Sequence, residues 1–204
     1  VAGGLFLAGC FGGGGQASGR RHPGCAGAGG LFSVLLYKDE IEASLRTYPH
    51  GGFQILEARD YPGQGTAIVG WLDAFWDSKG LVTPGDWRAF CAPTVALLRY
   101  PKSAWFCDET FTAKAEVYNF SGSALRNAKI RWSMTDSAGK TVARGSLKTQ
   151  TVGVDGVFPV GEFSIPLNKV EGAQKMTVHL SVGGEIGNSW DIWVFPRNPS
   201  LMRA

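Results

Sequence analysis

The side chains able to do chemistry are spread thinly along the chain. Cys10, Cys25, Cys91 and Cys107 form no CxxC pair, and His22, His50 and His179 lie far apart. Zinc sites draw on such ligands at short, repeated spacings, so no metal site is expected and Cys91 and Cys107 read as unpaired, mostly buried thiols. Asp155 and Glu162 lie near a turn, but the DxDxDG-like spacing of a calcium loop is absent. No GxSxG nucleophile elbow is present, which disfavours a Ser/His/Asp hydrolase. No cofactor is expected. Net charge is +3, and no basic run exceeds Arg20-Arg21. Nucleic-acid binding would call for a basic stripe with interleaved aromatics, and no segment reaches the roughly 20 apolar residues of a membrane span.

The elements that would position any site change along the chain. Residues 1–30 hold 12 of the 29 glycines and almost no charge. Such a segment buries too little apolar surface to offset its backbone entropy, so 1–33 is expected to be a disordered leader. From Leu31 the grammar becomes helical. Leu35, Leu36, Ile41 and Leu45 recur at helix spacing with Asp39, Glu40 and Glu42 on the other face, which predicts a helix over 33–46. Pro49, Gly51 and Gly52 stop it, and Phe53 to Ala58 suits a short buried strand. Thr83-Pro84-Gly85-Asp86 supplies an N-cap, a proline at the first helical position and an acid at the third, so a second helix starts there. From about Arg99 the pattern is all-β. Phe111–Tyr118, Ala128–Met134 and Met176–Val182 alternate, with turn signals at Ser121-Gly122-Ser123, Asp136–Gly139, Asp155-Gly156 and Gly183-Gly184. About seven short strands over roughly 100 residues predict an immunoglobulin-like two-sheet sandwich.

Longer motifs carry a resemblance. Gly51-Gly52-Phe53-Gln-Ile-Leu, Asp60-Tyr-Pro-Gly-Gln-Gly-Thr-Ala and Leu72-Asp-Ala-Phe-Trp-Asp-Ser-Lys-Gly80 resemble the end of the catalytic barrel in bacterial enzymes related to glycoside hydrolase family 2. Asn188-Ser-Trp-Asp-Ile-Trp-Val-Phe-Pro196 is similar to the closing strand of the β-sandwich that follows that barrel. With Tyr37-Lys-Asp-Glu-Ile-Glu-Ala, the resemblance covers residues 34–198. It implies an α+β fragment: 34–98 as the last strand and helices of a (β/α)8 barrel, 99–198 as the immunoglobulin-like sandwich, and 199–204 as a tail. In that family two glutamates on earlier barrel strands break the O-glycosidic bond. No residue here maps to either, so this chain alone is expected to be inactive, its parent acting on a carbohydrate substrate and its partner being the missing N-terminal barrel portion. A barrel takes roughly 250 residues, and 34–98 can supply only one strand and its flanking helices. Tryptophans follow Gly-Gly-Phe in the β-galactosidases, whereas Gln54-Ile55-Leu56 stand here.

The resemblance also points to site residues. The C-terminal ends of barrel strands line the active site, which makes Glu57, Asp60 and Gln64 the candidates for touching sugar, with Trp76 as a stacking ring. The competing role for Asp60 and Gln64 is to hold the loop backbone bent at Gly63 and Gly65. Trp105, Trp132, Trp190 and Trp193 read as core of the sandwich. Trp190 and Trp193 lie three apart in one strand and so face opposite sides; one is expected in the core and the other at the seam with the barrel piece. The alternative is a non-catalytic sandwich that binds glycan or another protein. Periplasmic or extracellular placement fits both. Leu7-Ala8-Gly9-Cys10 resembles a lipoprotein lipobox, which would lipidate Cys10; the other account of the segment is an incomplete or artefactual leader, as no basic stretch precedes it.

Overall fold

Alternation of apolar and polar residues builds the larger part of the molecule. The computed structural model describes residues 23–47, 49–61, 63 and 70–197, with 23–28 described by backbone alone. Most of the expected leader, and Gln64 with it, lies outside these residues. Among the described residues ten strands follow two helices: α1 (Pro23–Arg46), α2 (Pro84–Phe90), β1 (Thr94–Arg99), β2 (Ala104–Phe106), β3 (Thr110–Asn119), β4 (Leu125–Ala128), β5 (Ile130–Thr135), β6 (Thr141–Ser146), β7 (Gln150–Val152), β8 (Gly156–Pro166), β9 (Gln174–Val182) and β10 (Ile186–Phe195). They form a β-sandwich. One sheet has the order β1-β3-β8, the other β2-β10-β9-β5-β6, and β4 pairs with β7 beside them.

The core lies between the sheets. Residues of period two, such as Phe111, Ala113, Ala115 and Val117 on β3 or Met176, Val178, Leu180 and Val182 on β9, all point into it. Buried apolar surface of this kind stabilises the fold by roughly 25 cal/mol per Å². Turns fall where the sequence places them. In the β5–β6 connection the Gly139 amide donates to the Asp136 carbonyl at 2.9 Å, and Gly139 takes a left-handed φ of 78° that a side chain would resist. Asn119, fully buried at the end of β3, donates to the carbonyls of Ser123 and Gly153 and accepts from Thr94, tying two loops to the start of β1.

A second, smaller apolar cluster sits on the outer side of β1. Ile41 and Leu45 of α1 and Phe90 of α2 close over Val95 and Leu97. The alternation of β1 therefore serves two cores: Ala96 and Leu98 face the sandwich while Val95 and Leu97 face the helices. Strand β1 lies across the expected boundary at 98/99 and pairs along its whole length with β3.

Three local expectations change. Helix α1 begins at Pro23, ten residues before the apolar periodicity, with proline at a start that tolerates its missing N–H. Phe53 to Ala58 is not a strand; only an isolated bridge joins Arg59 to Leu72, and Leu56 is 89% exposed. A buried parallel strand needs hydrogen-bonding neighbours on both edges, and no described strand lies alongside. Glu42 is not on the polar face of α1: it is 1% exposed.

The core is packed tightly enough to test. The Trp132 ring stacks on Phe163 at 4.7 Å and 7° between planes, and a Cβ on Gly145 would come within 2.5 Å of that indole. We expect Gly145→Ala to destabilise the sandwich by about 1–3 kcal/mol through overpacking, read as a shift in urea midpoint at constant slope. An unshifted midpoint would show that the ring moves aside freely.

Candidate functional site

Two constellations stand out, one around the sugar-contact candidates and one that sequence reasoning missed. In the loop after α1, the Asp60 carboxylate accepts from the Lys79 ammonium at 2.7 Å and from the Gly70 amide at 3.1 Å. Lys79 also donates to the Gly70 carbonyl at 2.9 Å. Asp60 thus organises its own loop, the role that competed with sugar contact. Trp76 is 62% exposed, adopts φ of 73°, and lies under the Arg59 guanidinium at 5.2 Å. The carboxylate of Asp73 holds that turn by accepting from the amides of Phe75 and Asp77. Trp71 turns the other way, packing on Trp87 at 4.3 Å and on Tyr37 at 5.5 Å. Arg59 and Asp60 are chain neighbours, so Trp76 and Asp60 share one loop; Glu57 is half-buried and makes no side-chain hydrogen bond among the described residues.

The second constellation centres on Glu42. Its Oε1 accepts from Lys38 Nζ and from Asn188 Nδ2 at 2.9 Å. Its Oε2 accepts from Trp190 Nε1 at 2.8 Å and from Arg46 at 3.2 Å. Asn188 also donates to the Ala96 carbonyl of β1 at 2.8 Å, and its Oδ1 accepts from Lys38. The Lys38 ammonium lies 4.8 Å from the Trp190 ring centroid. One carboxylate therefore links α1, β1 and β10. Every donor in the group has an acceptor, as a buried ion pair requires.

Burial leaves its mark on the titrating groups. Desolvation pushes the Lys38 pKa down, with the attraction of Glu42 opposing it. Asp39, the next residue, is pushed up, first by desolvation and then by the charge of Glu42. Tyr100, facing the same acids from the end of β1, is also pushed up, chiefly by burial.

The tryptophans divide. Trp105 and Trp190 are each 5% exposed, Trp132 is partly buried, and Trp193 is 43% exposed on the outer face of its sheet. The expected pair is thus altered. Trp190, the buried member, is itself the one at the seam with α1, whereas Trp193 faces outward away from it. Asn188 and Glu42 are the residues that sequence reasoning passed over. For Glu42 the one local signal was the i, i+4 series Lys38, Glu42, Arg46, a spacing that puts three charges on one helix side; for Asn188 there was none. Cys91 and Cys107 are free thiols, and no cluster of metal-ligating side chains occurs among the described residues. Asp155 and Glu162 are both exposed. No helix among the described residues is long and apolar enough to cross a membrane.

Comparison with known proteins gives a sparse picture. The domain of unknown function DUF8488 matches residues 109–196, the greater part of the sandwich but less than half of the chain. No curated protein matches. Solved structures are similar over about half of the chain. The alkylpurine DNA glycosylase AlkC of Pseudomonas fluorescens is 12% identical, with 51% of this chain and 31% of that one covered and a TM-score of 0.41. A CARDB domain from Pyrococcus furiosus, in complex with di-metal ions, is 10% identical over 51% of this chain and 94% of its own, with a TM-score of 0.40. A β-glucuronidase from glycoside hydrolase family 2 is 13% identical over 50% of this chain and 11% of its own, with a TM-score of 0.35. Likenesses this distant carry no argument about chemistry.

Proposed function

We propose that the chain is the C-terminal portion of a glycoside hydrolase, a β-sandwich braced against the tail of a catalytic barrel and without hydrolytic activity of its own. The ordered motifs of residues 51–80 and 188–196 support this reading. The observation that carries it is the two-sidedness of the segment from α1 to Trp76. Its inner side is pinned to the sandwich through Glu42, Ile41 and Leu45. Its outer side holds nine of the thirteen large apolar residues exposed among the described residues, Leu56 at 89% and Phe75 at 84% being the extremes. Soluble proteins rarely present so much apolar surface unless something covers it, and a helix apolar on both sides belongs in an interior. The remainder of a barrel is a cover of the right kind. On this view Asp60 and Trp76 border the sugar site of the parent, Glu57 sits nearby, and the catalytic carboxylates come from elsewhere in the longer polypeptide.

Two measurements test the reading. The purified chain is expected to show no turnover of a panel of aryl glycosides, because loss of the acid/base and nucleophile groups removes many orders of magnitude of rate; turnover above that of an unrelated protein would refute it. The transcript upstream of the Val1 codon is expected to run on in frame into strands bearing two glutamates. An in-frame stop codon immediately before Val1 would also overturn the proposal.

A further inference from the structure

The open face of the five-stranded sheet combines features that the bracing role does not use. Register fixes which side chains point outward: Arg131 and Ser133 on β5, with Arg144 of β6 opposite Ser133, and Thr177 and His179 on β9. On β10 the outward residues include Trp193 and Phe195, 43% and 42% exposed. These two lie about 7 Å apart on one side of the strand. The acid of this face, Asp191, is already paired with Lys175 at 2.9 Å and accepts from Thr177 at 2.7 Å. Arg131 and Arg144 are exposed, and neither has an acidic partner among the described residues. The face therefore offers two uncompensated guanidinium groups at one end and two aromatic rings at the other. Strand spacing and rise put the Arg144 and Trp193 positions about 20 Å apart. Hydroxyl and imidazole groups of Ser133, Thr177 and His179 lie between.

We propose that this face binds an acidic oligosaccharide, with carboxylates on Arg131 and Arg144 and a sugar ring stacked on Trp193. Charge complementarity selects the anion, since planar guanidinium forks suit carboxylates. The rings select a ligand that has flat C–H faces, and the intervening hydroxyl and imidazole groups match its hydroxyls. The inference is independent of the bracing role, because it needs only the sandwich. A glycosidase parent could exist with this face idle, and the face could bind with no such parent.

Calorimetric titration of the full chain with tetragalacturonate, and with the same tetrasaccharide fully methyl-esterified, decides it. Binding of the acid is expected to weaken with added salt. It should also weaken about tenfold or more in each of Arg131→Ser/Arg144→Ser and Trp193→Ala, while both variants melt at the parental temperature. No binding of the acid, equal binding of the ester, or undiminished binding by either variant would each overturn the proposal. Equal binding of a tetraglutamate peptide would do so too, by showing a general anion surface rather than a sugar site.

Discussion

Glu42→Ala should lower the stability of the chain by about 3–5 kcal/mol, the usual cost of removing one partner of a buried ion pair. The loss exceeds that of one helix residue because four donors depend on this carboxylate. Lys38 would keep a largely buried ammonium with only Asn188 to receive it, and the indole N–H of Trp190 would have no acceptor. Arg46 retains the Leu98 carbonyl at 3.4 Å and Asn188 retains that of Ala96, so the damage concentrates on Lys38 and Trp190. Glu42→Gln, which keeps the shape and one carbonyl acceptor, should cost less. Urea denaturation followed by tryptophan fluorescence reads the effect. If Glu42→Ala melted with the parent, the link between α1 and β10 would contribute nothing to stability.

Trp190→Ala is the second large effect, about 3–5 kcal/mol, from lost transfer energy and a residual cavity. Trp193→Ala should stay within about 0.5 kcal/mol of the parent, since it truncates an exposed ring. The two residues differ by three positions in one strand, so the contrast isolates burial from composition. Trp190→Phe separates packing from hydrogen bonding: it keeps a ring in the core but gives Glu42 no donor. The single changes at Glu42 and Trp190 should be non-additive when combined, because both delete the same 2.8 Å bond. Strict additivity would argue that the two act separately.

Much of the sandwich could be read from the sequence because strand alternation is a local signal. The runs at 111–118, 128–134 and 176–182 fall within β3, the β4–β5 stretch and β9. Helix α2 starts where Thr83 and Asp86 place it: the Asp86 amide donates to Thr83 Oγ1 at 3.2 Å and the Thr83 amide to Asp86 Oδ2 at 3.1 Å. What escaped was non-local. Nothing in the neighbourhood of Glu42 says that Asn188 and Trp190, about 150 residues away, will satisfy it, and a glutamate beside Ile41 reads as solvated by default. The run Phe53–Ala58 has the composition of a strand but, among the described residues, no neighbour to pair with, and a strand is a property of its partners. The division between Trp190 and Trp193 was legible as opposite facing. Which of them met the helix depended on where α1 packs, which no spacing within β10 encodes.

The position of β10 has a consequence for how the protein is made. It is the last of the described strands, yet it lies inside its sheet, between β9 and β2, and its parallel pairing with β2 joins Trp193 to Ala104 and Phe195 to Phe106. During synthesis β2 therefore emerges long before β10, its one sheet neighbour among the described strands. Until β10 clears the ribosome, β9 presents an open edge and Glu42 has neither Asn188 nor Trp190 to accept from. Pairing across such a span carries a large loop-closure entropy and slows folding. Both the closing of the core and the docking of α1 thus wait on the same ten residues, and a nascent chain stalled before Ile186 is a client for chaperones.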